Sequence, residues 1–379
     1  MTLKLVKTLS DIDVFGKRVF VRADLDVPLR EAQGTNGERL TTNAELEIST
    51  RLTNLKPTVE YLLEHGASQI IIAGHIDRPL PRLANGKPII DPALSTRQLV
   101  PTLEKILGRQ IVFNSQLIVH PLRQRSEASS SQTENAMNRE PTTDNPLVLF
   151  ENLRFWPGEE ANDDEFARQL ASLADIYVNE AFGNSHRSHA SMDALPQLLP
   201  HAVGLNLQKE IDVLSELLKN PKRPFVAIVG GAKIETKVPV IENLSKVADF
   251  VLVGGELPHE ILARQMKFAD NVIVATLNKE GKDIDDDSIH QFIQQLEGVE
   301  TVAWNGPMGL FEKGFEKGTL VVAKAIVDSG AYSMVGGGET TQFLASKSLL
   351  SKFSFVSSGG GAMLEFLSGK ELPVLKALG

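Results

Sequence analysis

Residues Phe225–Lys237 read FVAIVGGAKIETK. Five consecutive apolar residues are too few for a helix, and they show no polar alternation. Such a run is expected of a strand buried on both faces, as in a parallel sheet. Two glycines end the run, and a stretch able to form a helix follows. The same grammar recurs toward the C-terminus. Phe250–Val253 runs into Gly254-Gly255, Thr301–Trp304 into Gly306, Tyr332–Val335 into Gly336–Gly338, and Phe353–Val356 toward Gly359–Gly361; Val272–Ala275 is a further strand. Turns that follow parallel strands all lie at one edge of the sheet, where such folds bind ligands. Helices starting there aim backbone N–H groups and positive dipole ends at one place, which suits phosphates. Lys233 and Lys237 are four apart, which predicts one helical face reaching a polyphosphate.

The first half has the same architecture with different strand ends. Arg18–Arg22, Gln69–Ala73, Leu147–Phe150 and Asp175–Val178 are predicted strands, and helical spacing marks Pro57–Leu63, Phe166–Leu173, Leu207–Leu218 and Val238–Val247. Strand–helix alternation reads as βαβ units, so the fold class is α/β. Here the strand ends carry Arg, His, Asp and Asn in place of glycine. That asymmetry predicts two α/β domains with different ligands, and 379 residues is a length for two. The junction is placed in the Pro-punctuated stretch and amphipathic helix of Pro196–Asn220. Arg123–Asn145 is polar and is read as a surface insertion.

Composition narrows the chemistry. Zero cysteines exclude disulfides, thiolate metal sites and cysteine nucleophiles, and fit a cytoplasmic protein. A net charge of −9 has the wrong sign for binding nucleic acid through the overall field. No apolar run approaches the ~18 residues that suggest a membrane span. An anionic substrate therefore needs a local cluster of cations. Arg22, His75, Arg78, Arg154, His186 and Arg187 stand at or just beyond strand ends, and Arg51 opens a helix-like stretch. Arginine forks bind phosphate and carboxylate bidentately, and Asp24 and Asp26 could accept from a substrate hydroxyl. His186-Arg187 could alternatively be a structural pair, a reading that suits the histidine best. The P-loop pattern is absent, no G-x-G-x-x-G follows a strand, and the HRD and DFG motifs of protein kinases are missing. A nicotinamide-dependent oxidoreductase is supported by the α/β pattern alone.

At these residues the sequence resembles the phosphoglycerate kinase family nearly end to end. The resemblance is carried by VRADLDVP at 21–28, GHIDRP at 74–79, LFENLRF at 149–155 and YVNEAFGNSHRSHAS at 177–191, then by FVAIVGGAK, WNGPMGLFE, GGGETT and SGGGAMLE. It implies two Rossmann-like parallel-sheet domains facing each other across a cleft, joined by a hinge helix and closing over their substrates. Residues 1–190 would bind 3-phosphoglycerate or 1,3-bisphosphoglycerate, 206–366 the nucleotide, 191–205 would form the hinge, and 367–379 would fold back on the first domain. Arg78, Arg154 and Arg187 would hold the 3-phosphate, with His186 beside them, while Asp24, Leu25, Asp26 and His75 would orient the glycerate end. Arg51 would neutralise the migrating phosphoryl group, with Lys237 and the amides of Gly337 and Gly338 on its other side. Lys233, Gly231, Gly255, Asn305 and Thr340 would bind Mg-ADP or Mg-ATP, Glu312 the ribose, and Glu339 the Mg2+. The protein implied is a monomeric cytoplasmic glycolytic kinase with small-molecule partners, no nucleic acid and no membrane.

Several positions depart from the family pattern. Glu339 replaces an aspartate, Glu256 the third glycine of a GGG, Asp26 an asparagine, Asp77 a glycine and Glu180 an aspartate. The stretch between Gly255 and Trp304 is shortened, and DIDDDS stands at 283–288. These changes concentrate on the nucleotide side. They motivate an alternative in which a catalytically weak homologue binds phosphoglycerate as a sensor or scaffold.

Overall fold

A computed structural model describes residues 6–27, 50–85, 87–117 and 146–379. The polar segment 123–145 lies outside the described residues. The chain divides into two compact units: residues up to Lys209 together with Pro373–Gly379, and Glu210–Leu372.

The N-terminal unit contains, in chain order, β1 (Arg18–Arg22), α1 (Lys56–Glu64), β2 (Gln69–Ala73), a small hairpin of β3 (Leu83–Ala84) and β4 (Lys87–Pro88), α2 (Val100–Leu107) and β5 (Val112–Asn114). Then follow β6 (Leu147–Phe150), α3 (Pro157–Glu160), α4 (Asp164–Ala171), β7 (Ile176–Asn179), β8 (His201–Val203) and the start of α5 (Leu205–Lys219). Its sheet has the order β5-β6-β2-β1-β7-β8, and every pairing is parallel. Val19, Val21, Ile70, Ile72, Leu147, Leu149 and Val178 supply the core. The short β5 and β8 were not anticipated. Three residues beside a loop or a proline carry no periodicity, and both strands exist because a neighbouring strand offers its open edge. β8 lies within the 191–205 span.

The C-terminal unit contains β9 (Phe225–Val229), α6 (Ile234–Leu244), β10 (Phe250–Val253), α7 (Leu257–Ala263), β11 (Val272–Val274), α8 (Asp286–Leu296) and β12 (Thr301–Asn305). It continues with α9 (Lys317–Ser329), β13 (Tyr332–Gly336), α10 (Gly338–Ser346), β14 (Phe355–Val356) and α11 (Gly360–Leu367). The order β11-β10-β9-β12-β13-β14 is the doubly wound arrangement, again wholly parallel. Its core gathers Val226, Ile228, Leu252, Phe292, Val302, Trp304 and Val335. After α11 the chain returns to the N-terminal unit as α12 (Pro373–Leu378), where the Val374 amide donates to Ser185 O at 3.3 Å.

Both sheets reverse direction at one place. In the first, β2, β5 and β6 lie on one side of β1 and the chain resumes at β7 on the other; in the second it builds outward from β9 and resumes at β12. Strand ends flanking such a switch diverge and leave a crevice, so β1/β7 and β9/β12 mark where ligands are expected.

Glu180, just after β7, ties this edge to the start of α5. Its carboxylate accepts from the amides of Asn206 (3.0 Å) and Leu207 (2.9 Å) and from the Thr58 hydroxyl, while Thr58 Oγ1 accepts from the Leu205 amide at 2.8 Å. An anion at a helix N-terminus satisfies orphan amides and complements the dipole. Glu180→Ala leaves these donors without their acceptor, and the N-terminal unit should lose about 3 kcal/mol of stability in urea titration. Glu180→Gln, which keeps one acceptor oxygen, should lose less; an unchanged midpoint for the alanine variant would contradict this role.

Candidate active site

The β1/β7 crevice collects most of the cations read from the sequence. Arg154 is buried; it donates to Asp77 O and pairs with Glu160 at 3.0 Å. Arg187 is half-buried, its Nε 3.4 Å from His186 Nε2, and Arg78 is exposed. Burial, followed by the charge of Arg187, lowers the Arg154 pKa; burial, followed by the charge of Arg78, lowers that of Arg187. The three guanidiniums are thus close enough to oppose one another's charge. An entering anion would relieve that repulsion. Burial, followed by the same field, pushes His189 down to about 3.

The aspartates face this cluster in different ways. The Asp24 side chain is 8% exposed, and burial raises its pKa against the pull of Arg51, whose guanidinium lies 3.7 Å from Asp24 Oδ1. Asp24 Oδ2 is buried with no hydrogen-bond partner, so it is an acceptor available to a ligand hydroxyl. Arg51 also donates to Asp26 O at 2.8 Å. Leu25 is fully buried between the two aspartates and serves packing. Asp26 does not offer both its oxygens to a substrate. Oδ1 accepts the Asp77 amide at 2.8 Å and Oδ2 lies 3.6 Å from His75 Nε2. Burial alone would raise the Asp26 pKa, but His75, the Asp77 amide and Arg51 together hold it low. Asp77 itself adopts φ 53°, a left-handed conformation at a position where the family pattern has glycine.

Two members of the expected cation set are not cations facing the crevice. Arg22 is completely buried: it donates through Nε to Ser191 Oγ (2.8 Å), through Nη1 to Ala23 O and through Nη2 toward His75 Nδ1 (3.0 Å). Ser191 in turn donates through its hydroxyl (2.6 Å) and its amide (3.0 Å) to buried Glu159. His75 is also fully buried, and burial drives its pKa to about 3, so its ring is neutral. Glu159 escaped the sequence reading because GEE at 158–160 looks like solvated helix; only the fold separates Glu159, turned inward, from Glu160, turned toward Arg154.

In the C-terminal unit Lys237 is buried, and its Nζ donates to Asn305 Oδ1 at 2.7 Å. Burial lowers its pKa to about 8, with Glu339 opposing. Lys233 does not share a helical face with it. Lys233 is the exposed N-cap residue of α6 at φ 46°, outside the helix that begins at Ile234. The glycine turns differ from expectation too. The amides of Gly230, Gly231, Gly254 and Gly255 donate to Asn305, Pro307, Val229 and Met308 carbonyls, and that of Gly306 to Thr340 Oγ1. These turns are glycine because they stack on one another: a Cβ on Gly306 would stand 2.2 Å from Gly230 O, and one on Gly255 would stand 2.4 Å from Gly231 N. Helices α6, α11 and α10 all open at this edge without a side-chain cap, and the last carries Glu339 in its first turn. It opens at Gly338 after Gly337 at φ 101°, carries no side-chain cap, and bears exposed Glu339.

Glu312 is exposed on the 3-10 turn Phe311–Lys313 and makes no hydrogen bond with the Lys237 group. Lys233 and Glu256 instead line an open cavity of about 590 Å³, with Leu257, His259 and Arg264. Among the described residues no group of three or more His, Asp or Glu could hold a metal ion, and no helix is long and apolar enough to cross a membrane.

Known proteins resemble this chain in both sequence and fold. The family model described as phosphoglycerate kinase matches residues 9–272 and 258–370. A phosphoglycerate kinase of Desulforudis audaxviator is 37% identical over 383 residues, covering 89% of each chain. The cytosolic phosphoglycerate kinase of Triticum aestivum is 35% identical over 391 residues, again covering 89% of each. The solved structure of phosphoglycerate kinase from Coxiella burnetii aligns with a TM-score of 0.75 at 26% identity, covering 99% of both chains. The chain belongs to the phosphoglycerate kinase family and is a phosphotransferase.

Proposed function

We propose that this chain transfers a phosphoryl group reversibly between the acyl phosphate of 1,3-bisphosphoglycerate and ADP, forming 3-phosphoglycerate and ATP. The observation that carries the substrate assignment is the crowding of Arg78, Arg154 and Arg187, which suits a phosphate held by several forks. Asp24 Oδ2 accepts the glycerate hydroxyl, and the neutral His75 ring supports the carboxyl end. Because the attacking carboxylate or phosphate oxygen is already ionised, no general base is needed. Positioning and charge neutralisation then account for catalysis. Arg51 and Lys237 supply that charge, and the first-turn amides of α10 receive the nucleotide's terminal phosphate.

The donor set fits Mg2+ held chiefly by the nucleotide. Glu339 is a single exposed carboxylate beside those amides, and Mg2+ takes one or two carboxylates plus substrate phosphates. When bound, the ion neutralises phosphate charge. We assign Lys233 to the nucleotide phosphates and Glu312 to the ribose, and read the protein as a cytoplasmic monomer with no nucleic-acid partner.

The direct test couples 3-phosphoglycerate, Mg2+ and ATP to reduction of the acyl phosphate product. Turnover is expected, and its absence with retained 3-phosphoglycerate binding would favour a sensor. Arg51→Ala should lower kcat by about 10²–10³ while sparing Mg-ADP binding, the scale seen when one transition-state donor is removed. Wild-type turnover in that variant would remove Arg51 from the mechanism. Lys237 has its folded pKa depressed to about 8, so it carries charge below that pH and loses it as pH rises through it. Affinity for Mg-ADP should weaken several-fold above about pH 8, and Lys237→Met should be weak at every pH. A wild-type affinity flat to about pH 9.5 would contradict the assignment.

A further inference from the structure

We infer that Arg22 is a positioning residue, fixing His75 in the tautomer that presents an N–H to the β1/β7 crevice. The inference rests on the substrate reading above only in supposing that the crevice binds a ligand. A guanidinium has five N–H donors and no acceptor, and it does not deprotonate in proteins. Arg22 Nη2 lies 3.0 Å from His75 Nδ1. That nitrogen must therefore be the lone-pair acceptor, since an N–H there would oppose the N–H of Arg22. The ring's proton is left on Nε2, the atom that faces Asp26 Oδ2 at 3.6 Å. Nε2 is itself buried without a hydrogen-bond partner.

The rest of the network fixes Arg22 so that this choice is not optional. Nη1 is held by the carbonyl of Ala23, and Nε by Ser191 Oγ at 2.8 Å. The Ser191 hydroxyl proton is committed to Glu159 at 2.6 Å, so its oxygen accepts from Arg22. The Ser191 carbonyl is held by the Tyr177 hydroxyl at 2.8 Å, and that hydroxyl accepts from Asn179 Nδ2 at 2.7 Å. Three Arg22 N–H groups thus have fixed partners, and the network leads to a His75 Nε2–H that no hydrogen bond holds. Such a neutral donor can support a carboxylate and an acyl-phosphate oxygen alike, without adding a charge that would hold back the more anionic form.

Asp26 completes the argument. Its Oδ1 is engaged by the Asp77 amide, so its other atom faces His75. An amide nitrogen there, as asparagine would place it with the same oxygen on Asp77, would set donor against donor. A carboxylate oxygen matches the tautomer that Arg22 imposes.

The readout is the long-range proton–nitrogen correlation spectrum of the imidazoles in the full chain, with the His75 signals assigned by their loss in His75→Gln. The charged groups facing His75 are Arg22, Asp26 and Arg154. Wild-type His75 should show the neutral Nε2–H pattern unchanged from about pH 5 to 8. Arg22→Lys, which keeps a donor, should retain it. Arg22→Met should give mixed tautomers or bring His75 titration into that range, and should weaken 3-phosphoglycerate binding roughly tenfold. A wild-type His75 protonated on Nδ1, or titrating within this range, overturns the inference even if no Arg22 variant folds. An Arg22→Met spectrum identical to wild type overturns it as well. If the His75 pattern is as expected but 3-phosphoglycerate does not bind the wild type, the substrate reading fails while the positioning role stands.

Discussion

A guanidinium with no exposure at the end of a central strand is the constraint around which the N-terminal unit is arranged. Arg22 closes β1 beside the switch point, and nothing from solvent reaches it. Removing one member of a buried charged network costs about 3–5 kcal/mol, because the remaining group is stranded. The chain meets this by drawing the segments after β2, in α3 and around Ser191 onto the same point. His75 projects from the first of these segments, and Arg154 stands on the turn Leu153–Phe155 just before α3. The stability requirement of one side chain thereby sets the geometry of the site next to it.

The C-terminal unit reaches its ligand edge by other means. Its turns interlock through backbone hydrogen bonds, which leaves the uncapped first turns of α6, α10 and α11 to face a guest. Glycine there is a packing requirement first. Charge is contributed by Lys237, whose burial against Asn305 holds it close to the pH at which it loses its proton. A lysine so placed responds to a neighbouring phosphate far more than one in water would.

Three of the departures from the family pattern acquire physical meaning through their contacts. Asp26 and Asp77 are linked, because the Asp77 amide is held by the Asp26 carboxylate while the Asp77 carbonyl receives Arg154. Glu180 is longer than the aspartate it replaces, and its two oxygens span successive amides at the start of α5. Glu256 lines the same cavity as Lys233.

Much of this was legible from residue order alone. Apolar runs of four or five residues located nine strands to within one residue at each end, and the eight ordered motifs named the family. Such signals are local: a strand buried on both faces must be apolar wherever it lies, and a motif survives as a string. What needed the tertiary structure was every statement about which way a group faces. Arg22 and Arg154 are both arginines at strand ends, yet one is sealed inside and the other borders the crevice. Lys233 and Lys237 are four apart, yet the helix starts between them. Exposure and proton position arise from contacts between segments distant in sequence, and no string of neighbours encodes them.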